Sequence, residues 1–282
     1  MIGIFDSGLG GLTVLRALIA RFPDSEFVYL GDHANVPYGD RSSDEVVELT
    51  RRGVEELFKR HAKLVLLGCN TATAVAARRL QQVWLPGANW PGRNVLGIVA
   101  PTVEAATQTP WAVTTPQYPQ KYITDILAVF GTTRTVTSDV YPEEIRKRCP
   151  RMRVYQQIAA NLAGAIEDEA PEDILDGLVA EAVRGLRAQT GGAEPDRVIL
   201  GCTHFPIVEH LFAKHLGSSV RILSQPAVVA NSLEHYLERH PHFANCSKAG
   251  GVELLTTGPA SEISARAQVF WPDAPGFVRT QT

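Results

Sequence analysis

A chain of 282 residues with 45% hydrophobic and 20% charged side chains has the composition of an ordinary globular protein, long enough for one large α/β domain or two smaller ones. Its net charge of −3, with both signs spread along the chain, provides neither the basic stripe that nucleic acid requires nor the polybasic cluster that an anionic membrane attracts. No apolar run approaches the roughly 18–20 residues of a membrane-spanning helix, and the opening stretch up to Asp6 lacks the basic region of a secretion signal, so a cytoplasmic, enzyme-sized protein is expected.

Short apolar runs alternate with helix-period segments along the chain. Residues 2–5 read as a buried strand ended by Asp6, and the glycine-rich Ser7-Gly8-Leu9-Gly10-Gly11 leads into a helix at 10–21. A second strand is expected at 27–30. Ser42, with Glu45 three residues on, forms a capping box for a helix that buries Val47, Val54, Leu57 and Phe58. Further strands are expected at 64–67, 95–99, 112–114, 198–200, 220–223 and 252–257. Helices are expected at 70–84, 157–169, 172–188, 205–215 and 226–239, with a last one running through Phe270 and a tail over 271–282. The turn-rich stretch 84–92 is a candidate hinge, and 189–195 is a loop. Strand–helix alternation of this kind argues for parallel sheets with helices on both faces.

One resemblance within the chain carries the functional argument. Val65-Leu66-Leu67-Gly68-Cys69-Asn70-Thr71 lines up with Val198-Ile199-Leu200-Gly201-Cys202-Thr203-His204. Two similar α/β halves follow, each presenting a cysteine at the carboxyl end of a strand, the edge where open α/β sheets bind ligands. Amides at a helix N-terminus favour thiolate over thiol, and with Asn70, Thr71 and Thr203 they make a site for a carboxylate. Two thiols facing one small anion suit stereoinversion at an acidic carbon, one removing the Cα proton and the other supplying a proton to the opposite face. The competing account, two buried cysteines that merely fill strand ends, fits either one alone but not the repeat.

Other residues gather around this pair. The loop after Asp6 has neither a Walker pattern nor G-x-G-x-x-G, so it points away from nucleotide. Ser7 caps the following helix or binds substrate, and Asp6 is a proton-relay partner. His204, two residues past Cys202, orients or protonates that thiol; its surroundings are not H-E-x-x-H, and no metal is expected. Pro37-Tyr38-Gly39 is either a surface turn or a loop whose Tyr38 hydroxyl and Gly39 amide take the distal group of the substrate. Cys149, among Arg146, Lys147, Arg148, Arg151 and Arg153, reads as an exposed helix end and is incidental, as is Cys246.

At these residues the chain resembles the glutamate racemase group of the aspartate/glutamate racemase superfamily. The motifs that carry the resemblance are Ile2-Gly3-Ile4-Phe5-Asp6-Ser7-Gly8-Leu9-Gly10-Gly11, Tyr29-Leu30-Gly31-Asp32, Val36-Pro37-Tyr38-Gly39, Cys69-Asn70-Thr71-Ala72 and Leu200-Gly201-Cys202-Thr203-His204-Phe205-Pro206. The resemblance implies two parallel-sheet α/β domains related by pseudo-twofold symmetry with the active site between them. We place the domains at 1–94 with 208–282, carrying Cys69, and at 95–207, carrying Cys202. It implies racemisation of glutamate without PLP or any other cofactor, D-glutamate supply for peptidoglycan, and a homodimer. By motif, Cys69 and Cys202 are the acid/base pair, supported by Asp6 and His204. Ser7, Tyr38, Gly39, Asn70, Thr71 and Thr203 bind substrate, with Asp6 and His204 beside them.

The middle of the chain departs from the pattern. The family's Gly-Thr-x-x-Thr segment is read at Thr114-Thr115-Pro116-Gln117-Tyr118, which puts Thr115 in the substrate site and Tyr118 near the place of the second threonine. The acidic residue common after the Cys-Pro match is not found in Val154-Tyr155-Gln156-Gln157. Alternatives are an aspartate or other acidic amino-acid racemase, a lyase or decarboxylase of the superfamily, and a non-catalytic glutamate-binding regulator.

Overall fold

Strands that are apolar at every position, rather than at alternate ones, need cover on both faces, and parallel crossovers supply it by laying helices there. That is the arrangement in the computed structural model, which describes residues 1–244 and 250–281. Every strand pair among the described residues is parallel. The chain forms two compact units, one of residues 1–98 with 229–282 and one of residues 99–228.

The first unit opens with β1 (Ile2–Asp6), α1 (Leu12–Arg21), β2 (Glu26–Gly31), α2 (Ser43–Lys59), β3 (Leu64–Leu67), α3 (Asn70–Arg79), the single turn α4 (Leu85–Gly87) and β4 (Asn94–Gly97). The capping box forms as expected: Ser42 Oγ accepts from Glu45 N at 3.3 Å, and Glu45 Oε2 accepts from Ser42 N at 3.0 Å. Val54, Leu57 and Phe58 are buried, joined by Val46, while Val47 is only partly covered. The strand expected to run to 99 ends at Gly97, because α5 (Val99–Thr107) already begins there.

The second unit continues from α5 through β5 (Ile126–Gly131), α6 (Thr133–Thr137), α7 (Val140–Arg148), β6 (Arg153–Ile158), α8 (Leu162–Glu167), α9 (Glu172–Thr190), β7 (Arg197–Gly201), α10 (Glu209–Leu216) and β8 (Arg221–Leu223). Its strand order is β6-β5-β7-β8. Here the sequence pattern misleads. Residues 112–114 form no strand; they follow Trp111, whose ring lies under the Arg148 guanidinium at 4.4 Å and whose carbonyl accepts from it at 2.5 Å. The apolar run of β5 instead forms a central strand between β6 and β7. The helix expected from 157 gives up its first residues to β6, and α8 starts only at Leu162. The helix expected over 205–215 begins as a 3₁₀ turn, Phe205–Val208, before α10.

The chain then returns to the first unit through α11 (Gln225–Arg239), β9 (Gly251–Thr256), α12 (Ala260–Arg266) and β10 (Phe277–Arg279). The first sheet has the order β10-β9-β2-β1-β3-β4. The expected tail thus contributes an edge strand, anchored by buried Phe277. Residues 208–228, expected in the first domain, fall in the second unit, since β8 is hydrogen-bonded to β7. No helix among the described residues is long and apolar enough to cross a membrane.

Candidate active site

In the first unit, the pairing of β1 with β3 places Phe5 opposite Leu67, so Ser7 and Cys69, two residues on, emerge side by side at the carboxyl edge. Ser7 Oγ lies 3.4 Å from Cys69 Sγ. Cys69 is the N-cap of α3, and its sulfur accepts from Ala72 N at 3.4 Å. A helix-terminal amide aimed at sulfur favours the thiolate. Asn70 and Thr71 follow in the first turn, both buried. Asp6, fully buried, accepts from Gly11 N at 2.5 Å through Oδ2.

Tyr38 also belongs to this half. Its buried hydroxyl donates to Asp32 Oδ2 at 2.7 Å. Burial raises its pKa well above the ordinary phenol value, and the negative charge of Asp32 adds to the rise, with smaller contributions from Cys69 and Asp6. Asp32, given no role by the sequence pattern, also accepts from Thr257 Oγ1 at 2.8 Å and from Asn35 Nδ2 at 2.9 Å. The Tyr38 hydroxyl, assigned to substrate from sequence, is therefore engaged in fixing its own loop, while the partly exposed Gly39 sits next to it.

In the second unit Cys202 follows β7 in the same way, but its partners differ. The helix expected over 205–215 opens with the 3₁₀ turn Phe205–Val208, whereas α3 begins at the residue after Cys69. Cys202 Sγ lies 3.6 Å from His204 Nδ1, and His204 Nε2 lies 2.6 Å from Glu167 Oε1. Burial alone would lower the histidine pKa, but hydrogen bonds and charge from Cys202 and Glu167 overcome it and hold the pKa well above the ordinary value. Glu167, the last residue of α8, escaped sequence reasoning because nothing local ties it to a histidine 37 positions later. Thr203 is buried between the two partners in sequence.

Thr115 is exposed and lies in the irregular stretch between α5 and β5. The Gly-Thr-x-x-Thr pattern is present after all, as Gly131-Thr132-Thr133-Arg134-Thr135. Gly131 pairs with Gly201, so Thr132 follows β5 at the register where Cys202 follows β7, mirroring Ser7 and Cys69. Thr132 Oγ1 also caps α6, accepting from Thr135 N at 3.4 Å. Gly201 is required by the sheet itself: a Cβ there would sit 2.9 Å from the Phe130 carbonyl oxygen.

Cys149 is buried, not exposed, and caps α7 from its backbone N–H to Ile145 O. Burial raises its pKa, outweighing Arg197, Arg148 and Lys121, so the thiol is protonated and inert. Cys246 lies outside the described residues.

The family model for Asp/Glu/Hydantoin racemase matches residues 12–233. A glutamate racemase of Phenylobacterium zucineum is 47% identical over 96% of this chain and 96% of its own length. A glutamate racemase isoform of Bacillus anthracis superposes with a TM-score of 0.84 at 26% identity, covering 100% of this chain and 97% of that one. A Francisella tularensis glutamate racemase, solved with D-glutamate, shares the fold with a TM-score of 0.81 at 22% identity, covering 99% and 95%. The chain belongs to the Asp/Glu/Hydantoin racemase family, a family of isomerases.

Proposed function

We propose that this protein interconverts L- and D-glutamate by a two-thiol mechanism without cofactor. The observation that carries the proposal is a buried cysteine at the carboxyl end of a strand in each unit, each with its own polar partner, Ser7 and a helix amide for Cys69 and the His204–Glu167 pair for Cys202. The choice of glutamate is supported by relatives named glutamate racemase at 47% identity and by a fold neighbour solved with D-glutamate.

The reaction breaks and remakes one C–H bond. One sulfur, as thiolate, takes the Cα proton, leaving an electron pair delocalised into the α-carboxylate. The other sulfur, as thiol, delivers a proton to the opposite face and becomes the thiolate. The roles reverse for the other enantiomer, which requires both thiols to titrate within reach of neutral pH. The charged His204 stabilises the Cys202 thiolate, and the α3 amide does the same for Cys69. Asn70, Thr71 and Thr203 supply donors for carboxylate oxygens, and preorganised donors of this kind are worth about 3–4 kcal/mol each in other enzymes when they face developing charge. Asp6 supports the Cys69 side. The proposed setting is a cytoplasmic homodimer that supplies D-glutamate to peptidoglycan.

The deciding experiment is turnover of each glutamate enantiomer in D2O. Racemisation with one deuterium appearing at Cα of product is expected. Tight glutamate binding with no isotope exchange would instead identify a ligand sensor, and exchange with aspartate but not glutamate would reassign the substrate.

A further inference from the structure

The fully buried hydroxyl of Tyr29 has no part in the mechanism above. Tyr29 lies in β2, paired with Ile4 of β1, and its ring packs edge-on against Phe277 at 6.1 Å. A phenylalanine would satisfy that packing as well, and a buried phenol oxygen costs stability unless it finds partners. Its partners lie in the loop that connects Asp6 to α1. Tyr29 Oη is 2.7 Å from the Gly8 carbonyl oxygen and 3.2 Å from Asp6 Oδ2. The same Asp6 oxygen accepts the Gly11 N–H at 2.5 Å. The fold-back is tight enough that a Cβ at Gly11 would lie 2.7 Å from Asp6 Cβ. Asp6, Gly8 and Gly11 are thus held as one unit, and Ser7, inside that unit, carries its Oγ to 3.4 Å from Cys69 Sγ.

We infer that Tyr29 is a positioning residue for the Cys69 half of the reaction, fixing Asp6 and the Gly8 carbonyl so that the Ser7 hydroxyl stays on the Cys69 sulfur. This rests on the racemase reading of Cys69. Its hydroxyl bonds to Asp6 and the Gly8 carbonyl, and it acts through them on Ser7. Without its hydroxyl the loop keeps its backbone path but loses the donor that sets the Asp6 carboxylate and the Gly8 peptide. Ser7 then samples positions off the sulfur, and misplacement of a catalytic group by about 1 Å costs on the order of 100-fold in favourable cases.

The test is Tyr29→Phe in the full-length protein. The equilibrium constant between enantiomers is one, so kcat/KM falls by the same factor in both directions and cannot by itself say which thiol is impaired. The primary isotope effect with Cα-deuterated substrate can. A weakened Cys69 makes its own proton transfer more rate-limiting. The isotope effect on kcat/KM therefore rises for the enantiomer that Cys69 deprotonates and falls for the other. The expected result is a kcat lowered roughly tenfold, KM within about twofold, and this opposed pair of changes. His204→Asn, which weakens the other thiol, shifts both isotope effects in the opposite sense. Unchanged isotope effects in a folded Tyr29→Phe protein overturn the inference, whether or not its Tm or its rate falls, because a purely structural hydroxyl lowers the active fraction without redistributing the barriers. If that variant does not fold, Ser7→Ala decides: it leaves Tyr29 and its partners in place and must show the same asymmetry, and two wild-type isotope effects there overturn the inference equally. Absence of Cα exchange in the wild-type protein would be a failure of the racemase reading itself, and it is seen before any variant is made.

Discussion

Cys69 and Cys202 close strands of nearly the same sequence, yet each sulfur meets different chemistry. After Cys69 the chain enters α3 at once, so the sulfur receives a helix amide and the Ser7 hydroxyl. After Cys202 the chain makes a 3₁₀ turn, and the sulfur faces an imidazole backed by a carboxylate. The first sulfur meets fixed dipoles, and the second meets a histidine whose pKa is held up by its partners. Under the proposed mechanism the two thiols need matched acidity, not matched environments. The support around Cys69 is an amide and a hydroxyl, neither of which titrates near neutral pH, whereas the support around Cys202 is a histidine–carboxylate pair whose charge depends on pH.

The largest effect tests whether both halves are needed at all. Cys69→Ser and Cys202→Ser should each lower racemisation by about 10²–10⁴-fold, followed by circular dichroism on either enantiomer. Similar losses from the two would support equal roles, and wild-type activity in either would remove that cysteine from the mechanism.

Glu167→Gln probes the asymmetry directly. With a raised pKa in the folded protein, His204 stays charged to higher pH than in the unfolded chain. Its contribution to stability is therefore full below the unfolded value of about 6.5 and is lost as pH rises through the folded value. Removing the carboxylate lowers the folded pKa, so the alkaline loss of Tm and of kcat/KM should both move to lower pH, with activity reduced roughly 10–100-fold. Parallel profiles for the variant and wild-type proteins would exclude the imidazolium role.

Tyr38→Phe touches only the Cys69 half. Asp32 loses one of three donors described here, at a cost of about 1–3 kcal/mol in stability, and KM should rise as the Gly39 loop loosens. The alkaline limb should stay where it is. Ser42→Ala, in the exposed capping box at the start of α2, should cost about 0.5–2 kcal/mol by thermal unfolding and leave both half-reactions unchanged.

Local physics made a good part of this molecule legible. Uniformly apolar runs such as those of β1, β3 and β7 reveal buried parallel strands, because only cover on both faces accommodates them. The Ser42–Glu45 spacing marks a helix start because the two residues satisfy each other's backbone donors. The repeated Leu-Gly-Cys marks both thiols, since the strand, the small residue and the sulfur are consecutive in the chain.

Tertiary structure decided what consecutive residues cannot. The β5 run is as apolar as β1, but its place in the centre of the second sheet, and the loss of a strand at 112–114, followed from which runs could pair with β7 and from where Arg148 clamps Trp111. Register, not motif spacing, sets Thr132 beside Cys202 and leaves Thr115 exposed. Glu167 reaches His204 only because α8 returns to the edge of β7, and Cys149, read from its charged neighbours as an exposed helix end, is a buried thiol. The amino-acid sequence by itself determined the two sulfurs and the strands that carry them, because burial pattern and capping act over a few residues. The identity of each sulfur's proton partner was settled by packing, because a hydrogen bond depends on where distant side chains meet and not on how far apart they lie along the chain.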